Sequence, residues 1–168
     1  YYSENFKVIK NITKKQITAE VTPGKYDYFD FKFKIDDISP KEVKNIILAL
    51  RDNLKFYKLK NGEFIDLENI ELKNFISLLD TISLENEIED DVLRISKNKA
   101  LFINEFIEKH GLRYIKGRKE LKKIQSKLIN IKESNFKLPE NLNANLREYQ
   151  VEGYNWLKTL DYLGFGGI

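Results

Sequence analysis

Between Tyr26 and Ile35 the chain alternates without a break. Asp27, Phe29, Phe31, Phe33 and Ile35 fall on one side; Tyr26, Tyr28, Asp30, Lys32 and Lys34 fall on the other. A period of two marks a β-strand with one apolar face, and such a face has to be covered. The next segment supplies a cover. In "DDISPKEVKNIILALRDN", Ser39 is placed to cap a helix, Pro40 takes its first position and Glu42 completes a capping box. Val43, Ile46, Ile47, Leu50 and Leu54 then form one stripe.

The remaining segments extend this pattern. "FKVIK" and "QITAEV" read as strands, and Pro23-Gly24 as a turn. "KFYKLKNGEFIDLE" reads as a hairpin with a two-residue type I′ turn at Asn61-Gly62. That register pairs Lys60 with Glu63, Leu59 with Phe64, Phe56 with Leu67 and Lys55 with Glu68. A helix over about 68–81 buries Leu72, Phe75, Ile76 and Leu79. "SLENEIEDD" reads as an acidic loop and "VLRIS" as a short strand. "NKALFINEFIEKHG" is a helix with Leu101, Phe102, Phe106 and Ile107 inward and Gly111 just past its end. "LRYIK" is a short strand or link. "GRKELKKIQSKLINIK" is a basic helix burying Leu121, Ile124, Leu128 and Ile131, and "ESNFKLPENLNAN" is the best linker. The order gives an α+β class: a small antiparallel sheet with a hairpin, covered by several helices.

Composition narrows the chemistry. The 168 residues include no Cys, so no disulfide framework or thiolate zinc site is available, which fits a reducing, cytoplasmic compartment. The single His110 precedes Gly111 and suits a helix end better than a metal site. No apolar run approaches the ~20 residues of a membrane helix, so no membrane partner is expected. There is no initiating Met and no secretory leader pattern, and the sequence reads as an internal piece of a longer protein. A net charge of +3 is modest for a nucleic-acid-binding domain.

Motifs for phosphate cradling, serine nucleophiles or zinc hydrolysis are missing. The pairs Asp36-Asp37 and Asp90-Asp91 suit a helix N-terminus and a solvated loop more than a metal. The basic helix offers Arg118, Lys119, Lys122, Lys123 and Lys127 to solvent. That face could follow a phosphate backbone, or could be a plain solvated face. Phe29, Phe31 and Phe33 could stack on bases, but their alternation favours the core.

The chain closes with "NLREYQVEGYNWLKTLDYLGFGGI". On a helical wheel Leu146, Tyr149, Gly153, Trp156, Leu157 and Leu160 share one face, with Gly153 leaving room for a close backbone. Gln150 lies at its edge, partly shielded. Its amide can donate and accept at once, which matches the amino and ring-nitrogen edge of adenine. Gly164 caps the helix.

The residues "LREYQVEGYNWL" followed by "GFGGI" resemble the opening of the ATPase motor of the Swi/Snf family, DNA-translocating relatives of superfamily-two helicases. In that family the glutamine of "L-R-x-Y-Q" reads adenine and "G-G-I" leads into the phosphate-binding loop. The resemblance implies that Gln150 is the adenine reader and Arg147 a weaker nucleotide-side residue. It also implies ATP and Mg2+ as cofactors of a full-length parent, with none bound by this piece. "FDFKFKIDDISPKEVKNIILALRDNLKFYKLKNGEFIDL" is similar to the helicase-associated region that precedes the motor in bacterial members.

The expected organisation is therefore a helicase-associated domain over residues 1–135, a linker over 136–145, and over 146–168 the first helix of a truncated RecA-like lobe. The expected function is an accessory domain, inactive alone, that contacts DNA or regulates the motor of an ATP-dependent translocase. Its partners would be DNA, the motor lobes and, through the last helix, a second copy. The rival reading is a protein-interaction module with no nucleic-acid contact.

Overall fold

A computed structural model describes residues 9–83, 88, 91–131 and 136–165, without the side chains of 128 and 129. Along these residues run β1 (Ile9–Lys10), β2 (Ile17–Pro23), β3 (Tyr28–Ile35), α1 (Pro40–Arg51), β4 (Phe56–Lys58) and β5 (Phe64–Asp66). Then follow α2 (Ile70–Ser83), β6 (Val92–Ser96), α3 (Ala100–Lys109), α4 (Lys119–Ile131) and α5 (Glu148–Leu163). The class is α+β. The strands divide into two sheets: an antiparallel one in the order β2-β3-β6, and a smaller one in the order β1-β5-β4. In the smaller sheet β1 runs parallel to β5. Parallel pairing needs a long crossover, and the chain from β1 to β5 carries β2, β3 and α1. No helix among the described residues is long and apolar enough to cross a membrane.

The alternating segment behaves as its period requires. Phe29, Phe31, Phe33 and Ile35 are buried, so these rings are core and not a platform for bases. Phe75 from α2 lies against them, with ring centroids 6.5 Å from both Phe31 and Phe33. Such tilted and edge-on pairs favour this core beyond the area they bury. Leu72, Ile76 and Leu79 join Phe75 on the buried side of α2, as the spacing predicts.

Helix α1 starts at the expected cap. Ser39 Oγ accepts the Glu42 N–H at 3.4 Å. The reciprocal half of the capping box does not form. Glu42 Oε1 instead accepts the Lys60 N–H at 2.8 Å, and the residue is only 6% exposed. One carboxylate thus ties α1 to the hairpin turn. The helix stops at Asp52, Asn53 takes a positive φ, and Leu54 points to solvent, off the expected stripe.

The hairpin register is one residue off the expected one. Phe56 faces Asp66, Tyr57 faces Ile65 and Lys58 faces Phe64. Leu59 N–H donates to Glu63 O, leaving a three-residue turn in which Gly62 has positive φ and Asn61 does not. A type I′ turn needs positive φ at both central positions. Asn61 instead turns its side chain onto Glu63, with Oδ1 accepting the Glu63 N–H at 3.0 Å. The Lys55–Glu68 ion pair survives at 3.6 Å.

Helix α3 buries Ile107 as expected and half-buries Leu101 and Phe106, but its face is shifted: Ala100, Ile103 and Asn104 are buried and Phe102 is exposed. His110 is its C-cap, stacked on Phe106 at 4.2 Å, and Gly111 follows with positive φ. Gly117 then brings the chain against β2. Val21 N–H donates to Lys116 O at 3.0 Å and Lys116 N–H to Ala19 O at 2.9 Å. From there α4 begins, burying Leu121 and Ile124; Leu128 lies outside the described side chains and Ile131 is half-buried.

Candidate nucleotide and nucleic-acid contacts

Arg147 precedes α5 in an extended conformation, as an N-cap must. Gln150 reaches back from the first turn, its Oε1 accepting the Arg147 N–H at 2.8 Å. That bond satisfies one orphan donor of the helix end and fixes the amide's direction. An amide oxygen has two lone pairs, so it can keep this bond and still accept from an adenine amino group while the nitrogen donates. Both Gln150 and Arg147 are exposed, whereas the helical wheel predicts partial shielding of Gln150. Gly166, Gly167 and Ile168, the expected lead into a phosphate loop, lie outside the described residues.

The helix folds back on the domain mainly by the side away from Tyr149, Trp156 and Leu157, although Leu146 and Leu160 of the expected face are half-buried. Leu163 is buried and Tyr154, Asn155 and Thr159 are half-buried. Tyr154 Oη donates to Lys137 O at 2.9 Å, and Phe136 packs edge-on to Tyr162. These contacts lay the 136–145 segment along α5. Lys127 of α4 donates to Tyr162 O at 3.0 Å and sits 5.4 Å from the centroid of its ring. On the other side Tyr149, Trp156 and Leu157 are 62%, 55% and 58% exposed. A Cβ at Gly153 would meet nothing within 4 Å, so the glycine admits no close backbone here. The helix is apolar on two sides, and helical periodicity alone does not say which side docks. Emission of the sole Trp156 should therefore be water-like and readily quenched by iodide in dilute solution. A blue-shifted, iodide-resistant spectrum at every concentration would contradict this exposure.

The basic helix is less free than its composition suggests. Arg118 lies 2.6 Å from Glu108, Lys122 lies 3.5 Å from the same carboxylate, and Lys123 lies 2.7 Å from Glu120. Lys127 is held by Tyr162. Lys119 is exposed and makes no ion pair among the described residues. Glu108 also takes Arg113 at 3.4 Å, so three cations converge on one carboxylate. The Arg118 guanidinium foremost, then Lys122, holds that carboxyl below its ordinary range. Sequence reasoning misses Glu108 and Arg113. They meet Arg118 only because α3 and α4 pack together, and no spacing rule announces it.

Of the carboxylate pairs, the Asp36 side chain has a structural partner in Lys10 at 2.6 Å, while at Asp91 the backbone carbonyl accepts the Phe33 N–H. Asp90 lies outside the described residues. Among the described residues no three His, Asp or Glu side chains gather to hold a metal.

A family model described as "Bacterial SNF2 helicase associated" matches residues 1–139. The match runs from before β1 past the end of α4 and stops short of α5. No curated protein and no solved structure matches the chain.

Proposed function

The chain belongs to the bacterial SNF2 helicase-associated family, and from that premise we propose that it serves as the accessory domain of an ATP-dependent DNA translocase. In this reading β1 to α4 form the accessory body and α5 opens the motor. The motor would bind ATP and Mg2+, with Gln150 reading adenine and Arg147 beside it. DNA would contact the accessory body through α4.

The observation that carries the reading is the contact between α4 and α5. Lys127 and Tyr162 bind the cationic helix directly to the helix that bears Gln150. A body held this way can bias a nucleotide-side helix, because the two elements share a packed interface and not only a flexible tether. The exposed stripe of Tyr149, Trp156 and Leu157 offers the opposite side of α5 to a motor lobe. Fully burying a large apolar side chain is worth roughly 1.5–3 kcal/mol, and docking of this stripe would gain part of that for each residue.

The test is made in the motor-bearing protein. Gln150→Ala should raise the KM for ATP several-fold more than that for GTP, since only adenine presents the matching edge. Equal shifts for both nucleotides would remove Gln150 from the role and detach α5 from nucleotide binding. The exposed stripe also favours a second reading, a protein-interaction module without nucleic-acid contact. It gains ground if duplex DNA leaves both the domain and the motor's turnover unchanged.

A further inference from the structure

Between Glu105 and Lys127 the chain places eight Lys and Arg against three Glu, a surplus of five where the whole chain carries +3. Most of the basic character is thus gathered on α3, α4 and the turn joining them. At the centre stands Glu108, with its Oε1 2.6 Å from Arg118 and 3.5 Å from Lys122, and its Oε2 3.4 Å from Arg113. Beside it an open furrow of about 580 Å3 runs between α3 and α4, lined among others by Lys109, Lys122, Gln125 and Ser126. Asn104 also lines it; the residue is 3% exposed, its Nδ2 donates to Gln125 Oε1, and its Oδ1 has no partner among the described residues.

One carboxylate does not neutralise three cations. Two bidentate-capable guanidiniums and an ammonium around a single pair of oxygens reproduce the donor set that proteins use for phosphate. An acidic side chain in that position is an internal stand-in for a phosphate. Arg118 and Lys122 are already turned toward Glu108 in this structure, so they are pre-oriented but masked.

We infer that the Glu108 cluster is a masked contact for a phosphodiester backbone, in which a DNA phosphate takes over Arg113, Arg118 and Lys122 from Glu108. This deepens the accessory-domain reading and rests on its DNA-contact half. Lys119, exposed and without an ion pair among the described residues, lies just along the chain from Arg118 and gives a second phosphate its partner. Lys123 is held by Glu120 and Lys127 by α5, so the contact is centred on the start of α4 and not spread along it. The mask explains how a strongly cationic patch can remain weak for anions until a backbone with two or more phosphates arrives.

The experiment measures binding of a fluorescent duplex oligonucleotide to the whole 168-residue chain by anisotropy, across a salt series. Glu108→Gln keeps the shape and removes the competing charge. It should tighten binding on the order of tenfold at low salt and steepen the salt slope by roughly one. Glu120→Gln changes the net charge equally on a neighbouring pair and should tighten binding less than about twofold. Arg113→Gln, at an exposed position, should weaken binding and flatten the slope. It also serves if Glu108→Gln lowers the folded fraction. Equal gains from the two glutamate variants would reduce the effect to bulk charge and overturn the proposal. So would absence of any DNA binding, or competition by polyglutamate as effective as by unlabelled duplex, which would assign the cluster to an acidic protein surface. None of these results touches the nucleotide test on Gln150, so the two readings fail separately.

Discussion

Gly117→Ala should lower the melting temperature of the domain by roughly 10 °C, followed by far-ultraviolet circular dichroism. Gly117 sits at φ +75°, and an added Cβ would overlap the carbonyl oxygen of Val21. A left-handed conformation costs an L-residue roughly 1–2 kcal/mol. Relieving the overlap moves the chain off β2 and endangers both Lys116 backbone bonds, each contributing about 1 kcal/mol. The total is about 3–4 kcal/mol, and each kcal/mol shifts a domain of this size by roughly 2–4 °C. The same step carries Arg118 and the start of α4, so the variant should also lose whatever anion affinity the domain has. A shift under about 2 °C would mean that β2 yields to the new methyl group without loss.

Phe75→Ala should cost about 3–5 kcal/mol, read from urea denaturation at unchanged slope. The side chain is fully buried and its ring meets Phe31, Phe33 and Tyr114. Truncation empties the seam between α2 and the larger sheet, where neighbours on a rigid sheet collapse poorly. Phe75→Leu refills most of the volume and should cost less than half as much. Similar losses from both substitutions would mean that the ring-to-ring contacts, and not the cavity, account for most of the lost stability.

Local signals were legible, and contacts between distant segments were not. The period of two in β3 and the cap at Ser39 involve residues a few positions apart, and both appear as the sequence predicts. The hairpin slipped by one residue because Asn61 bonds Glu63 through its side chain, a choice that its pairing with Gly62 does not settle. Glu42 left the capping box for Lys60, a partner eighteen residues on. Phe102 shows that a helical stripe fixes the period of burial but not its phase. Of the proposed site, a short motif singles out Gln150 and Arg147, and the structure adds the bond between them at the helix start. The convergence on Glu108 required the packing of α3 on α4. The direction in which α5 docks depended on Tyr162 meeting Lys127, which no reading of α5 by itself contains.

The two sheets share no strand, and this divides the molecule's resistance to opening. β3 is paired on both sides and sealed by Phe75, while the smaller sheet rests on three-residue strands and a two-residue edge. It adds Leu59, Ile65 and Leu67 to the shared core, and its edge and turn are tied by charged contacts, the Glu42 carboxylate and the Lys10–Asp36 pair. Sub-global fluctuations can therefore release the hairpin end while the larger sheet, and with it Gly117 and the start of α4, stays closed. The Glu108 cluster is thereby anchored to the larger sheet, so its cations should keep their spacing if the hairpin end opens first.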